Sequence, residues 1–286
     1  NSATTRLDDE VLKVMIPYFS DVYGNASSLH AFGREALAAV DKSRETIASL
    51  LGANPNEIYF TSGGTESDNW ALKGAAQAYG KYGKHIITTA IEHPAMMETC
   101  HKLEKDGFDV TYIGVNSDGL VDPEEIKKAV RDDTVLVSVM FANNEMGAIQ
   151  PIGEIGRFCR KEGILFHTDA VQAAGTIKIN VKELNIDMLS LSAHKFHGPK
   201  GMGLLYLRNG VKIEKLIAGG HQERGNRAGT TNTPGIVGMA KALEIAVRDM
   251  EKNNEHMRKL RDYFIDRVEK EIPYCHLNGG REHRLV

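Results

Sequence analysis

The amino-acid sequence predicts an α/β protein of three layers (α/β/α), in which helices cover a mostly parallel, seven-stranded sheet. Two observations support this fold class. Short runs rich in β-branched and aromatic residues alternate with longer segments of helical periodicity, as in successive βα units. The chain also has 286 residues, of which 42% are hydrophobic and 26% charged, so it is long enough to enclose a large core.

Seven short runs are predicted to be the strands of the sheet. They comprise residues 58–61, 85–90, 110–113, 135–140, 164–166, 188–191 and 203–207. Between them, apolar residues recur at helical spacing, as at Leu37, Val40, Ile47 and Leu50. A longer pattern from Pro234 to Val268 predicts one extended helix that ends before Ile272-Pro273.

The three cysteines are predicted to be reduced thiols. Cys100 and Cys159 fall on apolar helical stripes, and Cys275 stands apart from both. They are too few and too scattered for a disulfide framework or a CxxC metal site, and the histidines show no metal-ligand spacing.

Composition narrows the possible partners. The formal net charge of −3 gives no basic footprint for nucleic acid or an anionic membrane. No apolar run is long enough to cross a bilayer, and residues 1–12 lack the hydrophobic segment of a signal peptide. We therefore expect a cytoplasmic protein that acts on a small molecule or another protein.

Polar residues follow several of the predicted strands at the point where each ends. They lie at residues 61–65, 92–93, 143–145, 168–169 and 192–195. Ligands of open α/β sheets bind outside the carboxyl ends of the strands. These side chains are therefore predicted to converge on one crevice.

Lys195 is the most informative residue of this set. The apolar run 188–191 stops at Ser192, followed by His194, Lys195 and a turn rich in Gly and Pro. A lysine that is partly desolvated and beside a histidine can have its pKa lowered enough to act as a Schiff-base amine. This pattern indicates carbonyl or pyridoxal-phosphate chemistry.

Two further motifs fit such a cofactor, and each has a structural alternative. Residues 63–67 follow a strand and open a helix, which favours a phosphate at the helix N-terminus, although Thr65 or Ser67 could simply cap that helix. Asp169 ends another strand, where a buried carboxylate calls for a cation such as a pyridinium nitrogen. A helix N-cap is the alternative role for Asp169.

His93 and a glycine-rich loop complete the candidate residues. His93 precedes Pro94 after a predicted strand, so its imidazole could lie against an aromatic ring, act as an acid or base, or be structural. The loop at residues 219–231 carries two arginines, which could contact an anion or a neighbouring subunit. A solvated surface turn is the alternative for this loop.

Taken in order, these motifs resemble those of the NifS/IscS-type cysteine desulfurases, which are pyridoxal-phosphate enzymes of the class V aminotransferase group with the fold type I architecture. The resemblance extends over essentially the whole chain. It rests on residues 1–5, 24–30, 61–69, 143–147, 167–172, 192–201 and 227–230.

The resemblance implies a role for each candidate residue. Lys195 would form the Schiff base with the cofactor and then abstract the substrate α-proton, and His93 would stack on the ring. Asp169 would pair with the pyridine nitrogen, Gln172 with the phenolic oxygen, and Asn144 would hold substrate and cofactor. The phosphate ligands would be Gly64, Thr65, Ser192, His194 and, from a second subunit of a homodimer, Thr230.

The implied activity is conversion of L-cysteine to L-alanine, with sulfur passed as a persulfide to an acceptor protein such as an iron–sulfur scaffold. Two alternatives remain open. One is a related class V lyase or transaminase, such as a selenocysteine lyase. The other is an inactive truncated partner that binds a sulfur acceptor or a true desulfurase subunit.

The resemblance also predicts the domain organisation. Residues 6–250 would form the large cofactor-binding domain, and residues 1–5 and 251–286 would be part of a small C-terminal α+β domain. The family's nucleophilic cysteine and its substrate-carboxylate arginine are expected beyond Val286. On this interpretation the chain is a fragment of a longer protein, or lacks its C-terminal domain.

Overall fold

A seven-stranded sheet forms the middle layer of the protein. The computed structural model describes residues 2–286, so Asn1, which belongs to the predicted segment 1–5, lies outside the described residues. In chain order the strands are β1 (Ile58–Thr61), β2 (His85–Thr89), β3 (Asp109–Ile113), β4 (Thr134–Ser138), β5 (Leu165–Asp169), β6 (Met188–Ser192) and β7 (Gly203–Leu207).

The order of the strands across the sheet is β1-β7-β6-β5-β4-β2-β3. Strands β2 to β6 pair in parallel, whereas β7 runs antiparallel to both of its neighbours, β1 and β6. The prediction of a mostly parallel, seven-stranded sheet is confirmed. Each predicted run corresponds to a strand, and the main differences are that β4 ends at Ser138 and that β5 continues to Asp169.

Nine α-helices lie around this sheet in the described part of the chain. They are α1 (Asp9–Met15), α2 (Pro17–Ser20), α3 (Ala31–Leu51), α4 (Gly64–Tyr79), α5 (Pro94–Lys105), α6 (Pro123–Ala129), α7 (Ile152–Glu162), α8 (Thr233–Arg248) and α9 (Met250–Glu271).

Two apolar cores hold the three layers together. Buried residues of α1, α3, α6, α7 and α8 pack on one face of the sheet, and those of α4 and α5 pack on the other. In the second core, Trp70 is 1% exposed and its ring meets that of Tyr59 edge to face, with centroids 5.4 Å apart. Its indole nitrogen donates to the carbonyl oxygen of Glu214 at 2.8 Å, so the one polar atom of this side chain is satisfied inside the core.

The helical stripes predicted around Cys100 and Cys159 correspond to α5 and α7. Two other details of the helix predictions are wrong. Cys100 and Cys159 are fully buried, as predicted. Leu37, however, is 42% exposed, because the buried face of α3 passes through Ala36 and Val40. The single long helix predicted after Pro234 is two helices, since Asp249 adopts φ −99° and ψ 4° and leaves the helical conformation between α8 and α9.

The C-terminal part of the described chain packs less tightly than the sheet. Ile265 is the one buried residue of α9, while Leu260, Tyr263 and Phe264 are each more than half exposed. The predicted division into residues 6–250 and the small-domain segments 1–5 and 251–286 stays a prediction. Within residues 2–286, no helix has the length and hydrophobicity of a membrane span.

Gly203 in β7 leaves no room for a side chain, because the backbones of Gly63 and Leu191 lie directly beside it. Adding one methyl group there is therefore expected to destabilise the protein. A Cβ atom at Gly203 in β7 would lie 2.5 Å from the Cα atom of Gly63 and 2.7 Å from the carbonyl oxygen of Leu191. Because neither backbone can yield easily, Gly203→Ala is expected to lower the free energy of unfolding by about 1–3 kcal/mol or more, measured by urea denaturation. Gly114→Ala is the matched control, since a Cβ there has no neighbour within 4 Å. Equal stability of the two variants would contradict the packing described.

Candidate active site

The carboxyl ends of the parallel strands and the N-terminus of α4 enclose one cavity of about 470 Å³. Nine of the ten predicted site residues line it, and the exception is Thr230. The nine are Gly64, Thr65, His93, Asn144, Asp169, Gln172, Ser192, His194 and Lys195.

One end of the cavity is suited to an anion. Helix α4 begins at Gly64, and no side chain of the described residues caps its first turn. Ser67, one of the two predicted caps, instead donates to the carbonyl oxygen of Leu204 at 2.9 Å inside the core. Free N–H groups at a helix N-terminus, together with the helix dipole, favour a negatively charged ligand. A Cβ at Gly64 would come 2.7 Å from the side chain of Val171, so glycine keeps this turn compact.

Lys195 lies on a short 3-10 turn, Ala193–Lys195, directly after β6. Its ammonium group donates to the carbonyl oxygen of Ser2. Burial lowers the pKa of Lys195, and the carboxylate of Asp169 opposes that shift. The net direction is the one a Schiff-base lysine requires.

Asp169 lies at the end of β5 and is 6% exposed. Its Oδ1 accepts the amide N–H of Val171 at 2.9 Å. Burial raises the pKa of Asp169, while the Val171 N–H and the positive charge of Lys195 oppose the rise. The carboxylate therefore makes a local turn contact and lines the cavity. No helix begins directly after Asp169 in the described chain, so the alternative of a helix N-cap is wrong.

A second buried acid, Asp68, was not among the predicted residues. It is 1% exposed, it lines the same cavity, and its Oδ1 has no hydrogen-bond partner among residues 2–286. Burial, and then the negative charge of Asp169, raise its pKa well above the usual value. The signal in the sequence was a carboxylate among the buried residues of α4, between Ser67 and Ala71.

The neighbour of Asp68 is a neutral histidine. The Nε2 atom of His167 lies 3.8 Å from Oδ1 of Asp68, and burial lowers the pKa of His167 to about 3. Its ring nitrogens bond to the hydroxyl groups of Ser138 at 2.8 Å and Ser190 at 3.0 Å. His167 therefore supplies no positive charge to the two aspartates, which favours protonation of Asp68.

Glu92 and His93 follow β2, and hydrogen bonds hold both side chains in place. Oε1 of Glu92 accepts from the hydroxyl of Thr89 at 2.7 Å and from the amide N–H of Met140 at 2.8 Å. Nδ1 of His93 accepts the amide N–H of Ala95 at 3.1 Å and so caps α5. In the neutral imidazole the proton must then be on Nε2, and His93 combines the structural role with a position on the cavity wall.

The first described residues cover part of the cavity. Ser2 accepts at its carbonyl oxygen from Gln172 at 3.2 Å, and the hydroxyl of Thr4 bonds to Nδ1 of His194 at 3.1 Å. The amide of Thr5 donates to the carbonyl oxygen of His194 at 3.0 Å. Ser2 and Thr4 therefore line the cavity; they belong to the motif at residues 1–5, but the sequence analysis gave them no role in the site.

Thr230 is exposed and lines a second cavity of about 240 Å³, in the loop at residues 219–231. The two cavities have Ser62 and Gly201 in common. Within the described chain, Thr230 is thus near the first cavity without forming part of its wall.

None of the cysteines lines the cavity. Cys100 and Cys159 are both fully buried, and burial is the main cause that raises the pKa of each thiol to about 12. Because the thiolate is the nucleophilic form of cysteine, these two residues are inert at neutral pH.

Comparison with known proteins agrees with this geometry. The family model for class V aminotransferases matches residues 1–285. The chain is 54% identical to the cysteine desulfurase IscS of Dictyoglomus turgidum over 284 residues, which is 99% of this chain and 72% of that protein. A solved structure of a NifS-like protein superposes with a TM-score of 0.96 at 48% identity, covering 99% of this chain and 78% of the other. The structure of SspA in complex with cysteine gives a TM-score of 0.83 at 44% identity, covering 85% of this chain and 71% of the other.

The buried carboxyl group of Glu92 predicts a pH-dependent stability. Burial raises its pKa from 4.5 to about 8, against the hydrogen bonds from Thr89 and Met140. The native state therefore keeps a proton that the unfolded state has released, and stability should fall by about 1.4 kcal/mol per pH unit between about pH 5.5 and 7.5.

Glu92→Gln cannot ionise, and its free energy of unfolding should lack this component. The measurement is urea denaturation of both proteins across that pH range. Parallel pH profiles for the wild type and Glu92→Gln would show that Glu92 is already ionised in the native state.

Proposed function

The chain belongs to the class V aminotransferase family, and we propose that it acts as a pyridoxal-phosphate-dependent cysteine desulfurase. Its reaction would convert L-cysteine to L-alanine and transfer the sulfur to an acceptor protein, of the iron–sulfur scaffold type. The observation that carries this proposal is the convergence of Lys195, the buried Asp169 and the uncapped N-terminus of α4 on one cavity.

The chemistry of the cavity fits pyridoxal phosphate. The phosphate would be held by the start of α4 and by the polar groups of Thr65, Ser192 and His194. Asp169 would face the ring nitrogen, His93 would lie against the ring, and Gln172 and Asn144 would bind its remaining polar atoms and the substrate. When bound, the cofactor supplies an electron sink for negative charge at the substrate α-carbon.

Lys195 would be the amine that carries the cofactor and then serves as the base. Its burial favours the neutral form, and only a neutral Nζ can bond to a carbonyl carbon or accept a proton. The nearby carboxylate of Asp169 limits how far the pKa falls. Lys195 can thus accept the α-proton at Nζ and later return a proton to the product.

His93 and Asp169 would orient the reaction. The proton of the neutral His93 imidazole is on Nε2, because Nδ1 accepts from Ala95. The ring is therefore fixed by its cap contact and can present a flat face or a single N–H. Asp169, kept in place by Val171, would hold a proton on the ring nitrogen by charge pairing.

Sulfur transfer would need a thiol that reaches the cavity. In the family reaction this thiolate attacks the substrate sulfur, so that a sulfur–sulfur bond forms and the carbon–sulfur bond breaks. Since no cysteine of residues 2–286 lines the cavity, we assign this nucleophile and the substrate-carboxylate arginine to sequence outside the described chain. The match to 72% of the D. turgidum relative is consistent with this assignment.

A homodimer would complete the phosphate site. Thr230 is exposed and does not line the first cavity of its own chain, which suits a residue that acts in a second copy of the chain.

We also propose a cytoplasmic location, because the three cysteines form no disulfide and a reducing compartment favours free thiols.

Lys195→Ala is expected to abolish the visible absorbance of lysine-bound pyridoxal phosphate, because it removes the amine that would bond to the cofactor. Lys200→Ala is the matched control, since Lys200 also lines the cavity and should leave the absorbance intact. The measurement is a visible spectrum of each protein after reconstitution and desalting. A band that persists in Lys195→Ala would overturn the assignment of this lysine.

The reconstituted chain is expected to exchange the α-hydrogen of L-cysteine for deuterium in D₂O, because this step needs Lys195 and not the thiol. Lys195→Ala should slow the exchange by at least about 100-fold, as for loss of a general base. Proton NMR of the substrate provides the measurement. If the α-hydrogen of L-selenocysteine exchanges and that of L-cysteine does not, the chain is a selenocysteine lyase. If the chain binds no pyridoxal phosphate but still associates with a sulfur-acceptor protein, it is an inactive partner.

A further inference from the structure

The anion-binding end of the cavity contains a negative charge of its own. Glu66 lies in the first turn of α4, beside Thr65, and lines the same cavity. Burial opposes ionisation of its carboxyl group, but hydrogen bonds from Arg227 and Ser62 and the charge of Arg227 outweigh burial and lower the pKa. Glu66 is therefore an anion at neutral pH, next to the position proposed for a phosphate.

Arg227 pairs with this carboxylate through two hydrogen bonds. Its Nε donates to Oε1 of Glu66 at 2.8 Å, and its Nη2 donates to Oε2 at 3.2 Å. The two side chains are only 23% and 19% exposed, so solvent screens the pair incompletely. Arg227 lines the second cavity and not the first, which places its guanidinium behind Glu66.

The loop that carries Arg227 is anchored on the edge of the sheet. Glu223 accepts from both terminal nitrogens of Arg44, at 2.8 and 2.9 Å, and from the amide N–H of Phe60 at 2.9 Å. The guanidinium of Arg224 lies 3.8 Å from the ring centroid of Tyr59. Glu223 and Arg224 have φ of 45° and 57°, a conformation that non-glycine residues keep only where such contacts hold it.

We propose that Arg227 is a positioning residue that neutralises Glu66, so that the N-terminus of α4 can accept a dianionic phosphate monoester. This inference rests on the proposed cofactor. Without Arg227, the carboxylate of Glu66 would repel the phosphate at short range, in a site where water screens charge only in part. With Arg227 in place, the helix N-terminus meets the phosphate without a competing anion.

The test compares two ligands that differ only in the phosphate. Apo-protein is titrated with pyridoxal phosphate and, separately, with pyridoxal, and binding is followed by visible absorbance. Arg227→Gln should raise the Kd for pyridoxal phosphate about tenfold or more and change that for pyridoxal by less than about twofold. The double variant Glu66→Gln/Arg227→Gln should return the Kd for pyridoxal phosphate to within about threefold of the wild type.

Arg267→Gln is the matched control, because it removes an arginine that also pairs with a carboxylate, that of Glu271 in α9, and that lines neither cavity. It should bind pyridoxal phosphate like the wild type. If Arg227→Gln does not fold, Glu66→Gln alone decides, and it must bind pyridoxal phosphate at least as tightly as the wild type.

Unchanged affinity in Arg227→Gln would overturn the inference. A double variant as weak as the single one would also overturn it, because Arg227 would then act on the loop or on the phosphate directly. Failure of the wild-type chain to bind pyridoxal phosphate would overturn the proposed function as well, so the two failures are distinguishable.

Discussion

The parallel pairing of β4, β5 and β6 is the constraint on which the cavity depends. Parallel strands end at the same edge of a sheet, and their last residues are therefore brought together without any sequence proximity. Asp169 and Ser192 end β5 and β6, and Lys195 follows one short turn later. The antiparallel strand β7 then returns beside β6, and its Gly203 allows the start of α4 to approach the same edge.

Two buried acids, Asp68 and Asp169, line this cavity. A third buried acid, Glu92, does not line it but is close enough for its charge to act on Asp68. The pKa of each is raised, with burial as the main cause. The neighbouring His167 is neutral, so the positive charge that acts on Asp169 is that of Lys195. A cavity of this kind favours a ligand with a cationic atom at the acidic end and an anionic group at the helix end.

The sequence was sufficient for the strands and for the residues that follow them, because both depend on local composition. A short β-branched run followed by polar residues marks the end of a parallel strand, and this pattern found Asp169, Ser192 and Lys195.

Asp68 was missed because its significance depends on the approach of α4 to β5 and β6. The pairing of Glu66 with Arg227 spans 161 positions, a contact that no local pattern encodes. The break at Asp249 was missed because apolar periodicity continues through it.

The anchoring of the loop at residues 219–231 also determines how the sheet ends. β1 is an edge strand that pairs on one side with β7. On its open side, the amide of Phe60 donates to Glu223, and the carbonyl oxygen of Ile58 accepts from Arg44 at 2.6 Å and from Arg224 at 2.7 Å. These side chains occupy the backbone groups that another strand would need. The edge is thereby closed to sheet extension and amyloid-like stacking, a common hazard of unprotected edge strands.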